Sequence, residues 1–151
     1  LHVAVRFEIE RQLFAGSVTV RDLPELWDQT YQDLLGVRAQ SVSDGVLQDI
    51  HWAMGAFGYF PTYSIGNLVC AQLFEQASAD LGDLDGSLAR GDFQPLLQWL
   101  RTHVHQHGRR FSTKELVEKA TGKPLSALPL LRHLTSLAER VYGVSASLQG
   151  S

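Results

Sequence analysis

The segment DLPELWDQTYQDLLG, residues 22–36, carries the pattern that decides the fold class. Asp22 followed by Glu25 is typical of a helix N-terminal capping box, and Gly36 is typical of a helix C-terminus. The side chains that recur between them at helical spacing are Leu23, Leu26, Trp27, Thr30, Tyr31 and Leu34. The segment therefore predicts an amphipathic helix.

The C-terminal half of the chain contains similar signals for helix starts and ends. Helical spacing bounded by caps or glycines predicts further helices within residues 64–81, 92–108, 112–122 and 126–143, and Ser112 with Glu115 forms a second capping box. Residues 82–91 between two of these helices are rich in turn formers. Together these patterns predict a mainly helical, all-α fold.

Two segments do not fit a regular helix. Val3, Val5, Phe7 and Ile9 alternate with other residues, which is the period of a strand, although the Leu13 and Phe14 that follow favour a helix. Residues 55–61 combine two glycines, a proline and aromatic side chains, and this composition predicts a loop or a broken helix. The all-α prediction therefore allows one short irregular or β segment.

Composition narrows the function classes. A net charge of −3 argues against nucleic-acid binding, and no apolar run approaches the length of about 18 residues that a transmembrane helix needs. The single cysteine, Cys70, excludes an internal disulfide and lies in an apolar run, so we expect a buried, unreactive thiol and a cytoplasmic location. The small, polar residues 145–151 predict a disordered tail.

Residues 45–63, GVLQDIHWAMGAFGYFPTY, hold the densest group of side chains capable of chemistry. A histidine such as His51 exchanges protons near neutral pH, and a tyrosine hydroxyl can donate to a developing oxyanion. Asp49 could orient that histidine or cap a helix. The residue types alone equally fit an aromatic core that contains one hydrogen-bonded histidine.

Arg6 stands alone among apolar residues and needs an anionic partner, because an unpaired buried charge is costly. Glu8, Glu10 or another acid within the chain is the simpler partner, and a substrate carboxylate bound through two of the guanidinium nitrogens is the other. His103 and His107, four residues apart, could share a metal ion, but surface histidines explain them as well. The chain contains no HExxH, phosphate-binding loop, GxSxG or CxxC motif.

The motif GVLQDIHW, residues 45–52, matches GxxQDxHW of the carboxypeptidase Taq family of metallocarboxypeptidases. GYFPTYSIGN at 58–67 also resembles that family, and VRFEIE at 5–10 resembles its IRxxAD motif, with Ile9 and Glu10 where the family has Ala and Asp. The resemblance covers nearly the whole chain. It implies that residues 1–144 are the C-terminal region of an all-α zinc peptidase with a substrate cleft.

The resemblance also implies roles for individual residues. His51 and Tyr63 are the expected catalytic residues, which would stabilise the transition state. Expected substrate-binding residues are Arg6, which would hold the terminal carboxylate of a peptide, Tyr59, Gln48 and Asp49. The zinc ligands of the family lie in motifs that this chain lacks, so zinc is expected in the parent enzyme and no metal ligand is expected here.

The expected activity of the parent is the removal of single residues from peptide C-termini, and we expect the 151-residue chain to be inactive alone. The resemblance and an apolar face exposed in a partial chain both predict a homodimer, with no nucleic-acid or membrane partner. The alternative is a non-catalytic helical module that binds peptides or drives oligomerisation.

Overall fold

The computed structural model describes residues 2–144 and contains eight α-helices in that range. They are α1 (His2–Phe14), α2 (Leu23–Leu35), α3 (Ile50–Ala53), α4 (Pro61–Leu81), α5 (Leu84–Ala89), α6 (Gln94–His103), α7 (Thr113–Thr121) and α8 (Leu128–Tyr142). No strand occurs between residues 2 and 144, so the all-α prediction is confirmed. The predicted tail, residues 145–151, lies outside the described residues.

The chain forms two compact units, residues 1–65 and 66–151. In the first unit, Val5, Ile9 and Trp27 form the buried core. Tyr31, Val46, Trp52 and two leucines of α2 pack around it. The core therefore joins α1 and α2 to the short segment that carries the GxxQDxHW residues.

The β segment that the sequence allowed near the N-terminus is a helix, so that part of the prediction was wrong. Val5 and Ile9 are fully buried one helical turn apart, and Arg6 and Glu10 beside them are buried as well. Phe7, which the alternation placed on the same face as Val5, is 46% exposed. The buried face of α1 includes two charged residues. A pattern search that counts only apolar residues misses them, and it therefore indicated the period of a strand instead of that of a helix.

The ends of α2 confirm one prediction and correct another. Gly36 adopts the left-handed conformation at φ 70° and closes the helix through its amide, which donates to the carbonyl of Gln32. Asp22 does not form the predicted box with Glu25. Its carboxylate instead accepts hydrogen bonds from the backbone amide and hydroxyl of Thr19, 2.8 and 2.7 Å away, and caps the 3-10 turn before α2.

In the second unit, Ala77, Leu84, Trp99 and Ala120 form the core, surrounded by leucines of α4, α5 and α6. Residues 82–91, predicted to be turn-rich, include α5, whose start is capped by Asp83. Trp99 Nε1 donates to Asp80 Oδ2 at 2.7 Å, and this bond is the main reason that the pKa of Asp80 lies below its usual value. The capping box of Ser112 and Glu115 is confirmed at the start of α7.

Cys70 is exposed on α4, so the expectation of a buried thiol was wrong. The residues of α4 that are buried are Gln72 and Ala77, and the apolar run around Cys70 does not bury the thiol. None of the helices in the described part of the chain combines the length and hydropathy that crossing a membrane requires.

Gln72 links α4 to the connection between α7 and α8. Its side chain is only 4% exposed, and Nε2 lies 3.2 and 3.0 Å from the carbonyl oxygens of Lys123 and Pro124. Its Oε1 accepts from the amide of Ser126 at 2.9 Å. This one side chain therefore pairs the Pro124 carbonyl and the Ser126 amide, and it shares the Lys123 carbonyl with the hydroxyl of Thr121.

We predict that Gln72→Met lowers the free energy of unfolding by about 2–3 kcal/mol, because buried backbone groups lose their hydrogen-bond partners. Denaturant unfolding would measure the loss. The matched control is Gln76→Met, one turn later on the same helix, which removes only a bond to Asp80 and should cost about 0.5 kcal/mol or less. Equal losses for the two variants would contradict the prediction.

Candidate functional site

The GxxQDxHW segment forms a 3-10 turn at Val46–Gln48 and then enters the single-turn helix α3, whose start is capped by Asp49. One carboxylate oxygen, Oδ1, accepts from the backbone amides of His51 at 2.9 Å and Trp52 at 3.0 Å. Asp49 is 7% exposed. A helix of four residues is too short to persist by its own hydrogen bonds, so this cap and the contacts of its side chains determine where His51 lies.

The second oxygen of Asp49 pairs with Arg6. Arg6 Nε donates to Asp49 Oδ2 at 2.7 Å, and the two side chains are 10% and 2% exposed. Arg6 Nη1 donates to the hydroxyl of Tyr31 at 2.6 Å and to the carbonyl of His2 at 3.1 Å. The guanidinium also lies over Trp27, 4.8 Å from the ring centre. Burial and then the charge of Arg6 lower the pKa of His2. The interpretation of Arg6 as part of an internal ion pair is therefore confirmed.

Glu10, one turn after Arg6 on α1, contacts the other end of the same segment. Its Oε1 accepts from Trp52 Nε1 at 2.8 Å, and its Oε2 accepts from the amide of Gly58 at 3.1 Å. The side chain is 4% exposed. Glu10 therefore joins α1 both to α3 and to the aromatic loop at residues 54–60, which the sequence predicted as a loop.

His51 and Tyr63, the two expected catalytic residues, lie side by side. His51 Nε2 is 3.2 Å from the Tyr63 hydroxyl, and the donor is set by the tautomer of the imidazole. Tyr59 lies roughly parallel to the His51 ring, with centres 6.0 Å apart, and Phe60 packs against it at 4.8 Å. Tyr59 and Tyr63 are 49% and 45% exposed, so solvent reaches this histidine and both hydroxyl-bearing rings.

The six residues expected at the site do not all lie in one environment. Four of them, Arg6, Asp49, His51 and Tyr63, are linked by the contacts above, and Tyr59 completes the group through its ring. Gln48 is exposed, and its side chain donates to the carbonyl of Asp44 at 2.5 Å. The structure thus connects five of the six residues and leaves Gln48 on the surface.

Sequence reasoning missed three residues of this site: Glu10, Tyr31 and Phe60. The sequence suggested Glu10 as a departure from the family motif and, with Glu8, as a possible ion-pair partner of Arg6. Arg6 instead pairs with Asp49, and Glu10 binds Trp52 and Gly58. Tyr31 lay within the predicted stripe of α2, and nothing in that stripe indicated its hydroxyl contact. Phe60, 2% exposed, also lies 5.7 Å from the Arg6 guanidinium, between Arg6 and His51.

The His103 and His107 pair does not form a metal site in the described structure. His103 stacks on Trp99 with ring centres 4.4 Å apart, and its Nδ1 is 2.9 Å from the Trp99 carbonyl oxygen. His107 packs edge-on against Phe111. Within residues 2–144, no three His, Cys, Asp or Glu side chains are grouped so that they could hold a metal ion.

Comparison with known proteins resolves which family this site comes from. The model of the carboxypeptidase Taq (M32) metallopeptidase family matches residues 1–137. This chain belongs to the carboxypeptidase Taq family. The resemblance read from residues 45–52 is therefore confirmed for nearly the whole chain.

Relatives within the family are similar in sequence and in structure. Thermostable carboxypeptidase 1 of Thermus thermophilus is 50% identical over 143 residues, which are 95% of this chain and 28% of that protein. The M32 carboxypeptidase of Deinococcus radiodurans superposes with a TM-score of 0.90 at 46% identity, over 95% of this chain and 29% of that one. Metallocarboxypeptidase 1 of Trypanosoma cruzi gives 0.85 at 37% identity. The chain thus spans less than a third of the length of these relatives.

We predict that Asp49→Asn lowers the free energy of unfolding by about 3 kcal/mol, because it leaves the buried Arg6 charge facing an amide that has no negative charge. The matched control is Asp83→Asn. Asp83 also caps a helix and pairs with an arginine, Arg90, but the two side chains are 73% and 64% exposed.

Asparagine is also a good helix cap and exposed ion pairs contribute little, so the control should stay within about 0.5 kcal/mol of the parent chain. Chemical denaturation followed by tryptophan fluorescence measures both variants. If Asp49→Asn costs no more than Asp83→Asn, the ion pair is not what holds α3 to α1.

Proposed function

We propose that this chain is the peptide-binding part of a zinc metallocarboxypeptidase, which handles the C-terminal residue of a peptide but does not hold the metal. One observation carries the proposal. The exposed His51–Tyr63 pair, with 3.2 Å between Nε2 and the hydroxyl oxygen, is attached through Asp49 to the buried Arg6. A donor for a carbonyl oxygen and a cation for a carboxylate are what the recognition of a peptide C-terminus requires.

His51 and Tyr63 would act together on the carbonyl oxygen of the bond to be cleaved, with the tyrosine hydroxyl as the donor and His51 as the group that orients it. In the tautomer with the proton on Nε2, the imidazole donates to the Tyr63 oxygen and the tyrosine O–H remains free for substrate. The aromatic side chains of Tyr59 and Phe60 border the imidazole and restrict its position. Such preorganised donors stabilise the negative charge that develops on the oxygen during hydrolysis.

Arg6 would bind the terminal carboxylate through the one nitrogen that its neighbours leave available. Nε is bonded to Asp49 and Nη1 to Tyr31 and His2, whereas Nη2 has no hydrogen-bond partner among the described residues. The bonds at Nε and Nη1 fix the plane of the guanidinium, so the direction of Nη2 is fixed too. Arg6 would therefore act as a rigid donor.

The other expected residues have less direct roles in this proposal. Both oxygens of Asp49 are engaged by Arg6, His51 and Trp52, so Asp49 would position these groups without touching the peptide. Tyr59 would form a wall beside the substrate carbonyl. Gln48, bonded to a backbone carbonyl on the surface, would contact only a substrate that extends over that face.

The zinc expected for the parent enzyme does not fit the described residues, because they offer no group of three suitable ligands. When bound in the parent, the metal would supply the activation of water and the polarisation of the carbonyl. This chain would contribute binding, orientation and hydrogen-bond donors.

The expected homodimer stays a proposal, and the exposed side chains of α8, among them Leu131, Leu134 and Tyr142, support it.

We predict that the chain binds a short peptide with a free C-terminal carboxylate at least about tenfold more tightly than the same peptide with a C-terminal amide. The carboxylate accepts a charge-assisted bond from Arg6, and the amide does not. Titration followed by NMR compares the two peptides on one protein. Equal affinities would remove Arg6 from substrate recognition and favour the alternative of a general helical interaction module.

A substitution at the donor pair tests the same site from its other side. Tyr63→Phe should weaken binding of the acid peptide about threefold or more, because one donor to the peptide carbonyl is lost. Tyr142→Phe, on a side chain 77% exposed on α8, is the matched control and should leave the affinity unchanged.

We also predict that the 151-residue chain, loaded with zinc and dialysed, releases no C-terminal residues from a peptide acid and retains no stoichiometric metal. The described residues provide no group of three ligands, and zinc in catalytic sites usually has three. Metal content and amino-acid release are measured on one sample. Turnover that a chelator abolishes would contradict the prediction.

A further inference from the structure

Glu10 is a buried carboxylate that forms no ion pair among the described residues. Its side chain is 4% exposed, and no ion pair to it occurs among the described residues. Its two partners are the neutral donors Trp52 Nε1 at 2.8 Å and the amide of Gly58 at 3.1 Å. A charge that is buried without an opposite charge is unfavourable for folding, so stability alone does not account for a glutamate here.

The geometry explains why the side chain must be a carboxylate. Two N–H groups from different segments point at it, and each of its two oxygens accepts one of them. A glutamine of the same shape has one acceptor oxygen, and its NH₂ group would face the second N–H. A carboxylate accepts both bonds without rearrangement, and a glutamine does not.

The two bonds control the two sides of His51. Trp52 follows His51 in the single-turn helix α3, so the bond to its indole limits rotation of that helix. Gly58, which adopts the left-handed conformation at φ 74°, precedes Tyr59 and Phe60, whose rings lie 6.0 and 4.8 Å from the imidazole. A displacement of Gly58 would move both rings relative to His51.

We propose that Glu10 is a positioning residue, which holds α3 and the aromatic loop so that His51 and Tyr63 face the same substrate oxygen. This inference rests on the proposed function for the meaning of that arrangement. Glu10 makes the second of two contacts that join α1 to the α3 segment. Arg6 binds the residue before α3, and Glu10, one turn along α1, binds a side chain within it.

The test compares Glu10→Gln with Glu8→Gln in the 151-residue chain. Glu8 lies on the same helix and accepts three side-chain bonds, two from Arg11 and one from Gln12, but its side chain is 37% exposed and makes no hydrogen bond to α3 among the described residues. Proton–carbon NMR spectra of the histidine rings report the surroundings of His51. Titration with the peptide acid reports the site, and denaturant unfolding reports the fold.

For Glu10→Gln we expect the His51 ring signals to move, with the other histidine signals unchanged, and the affinity for the peptide acid to fall at least about fivefold while unfolding stays cooperative. A fivefold loss of affinity is the size expected when one hydrogen bond between the site and the peptide is lost. Glu8→Gln should change neither readout. Unmoved His51 signals, or a shift no larger than that of Glu8→Gln, would overturn the proposal.

Two further outcomes are separated by the design. If Glu10→Gln does not unfold cooperatively, Glu10→Asp decides, because it keeps both acceptor oxygens but is one methylene too short to reach both donors. An intermediate shift of the His51 signals supports the proposal, and parent-like signals with parent-like affinity overturn it. If the parent chain itself does not bind the peptide acid, the proposed function fails, whereas the ring signals still decide whether Glu10 positions His51.

Discussion

The buried ion pair between Arg6 and Asp49 is the interaction on which the site depends. A guanidinium and a carboxylate removed from water are tolerated only when they are paired and their remaining hydrogen-bonding atoms are satisfied. The first condition is met, and the second is met at all atoms but one. Tyr31 accepts from Arg6 Nη1, the amides at the start of α3 donate to the second oxygen of Asp49, and Arg6 Nη2 alone has no hydrogen-bond partner among the described residues. The pair therefore fixes the one-turn helix to α1, and through it the position of His51.

Much of the fold follows from local sequence signals, and the exceptions have a common cause. Gly36 and the Ser112–Glu115 box mark helix ends that the structure contains, because caps act within a single turn. The first helix was misread because its inward face includes Arg6 and Glu10, which a search for apolar periodicity treats as outward residues. The partners of these two residues lie 43 and 42 positions away, and no local pattern shows contacts at that separation.

The candidate site was predictable in its members but not in its connections. His51 and Tyr63 were selected by resemblance to a family, and their residue types alone fitted an aromatic core equally well. Their side chains meet because Phe60 and the glycines of the loop turn the chain back towards α3. Cys70 shows the opposite case, since an apolar neighbourhood in sequence did not correspond to burial once the helix was formed. The buried face of α4 contains Gln72 and Ala77. Because one of these residues is polar, the hydropathy of the segment does not show which face is buried.

The charges at the site determine how a carboxylate could be recognised there. Arg6 and Asp49 neutralise each other, and Glu10 adds a negative charge nearby on the same helix. The buried groups therefore offer no net positive field to attract an anion, and screening by salt should matter less than for an isolated arginine. The feature that could still recognise a carboxylate is the direction of the Arg6 Nη2 donor. Hydrogen bonds at Nε and Nη1 hold the guanidinium, so the orientation of Nη2 is fixed. In the proposed function, such an arrangement would select a carboxylate by the position of its oxygens, and so would distinguish the end of a peptide from an internal acidic side chain.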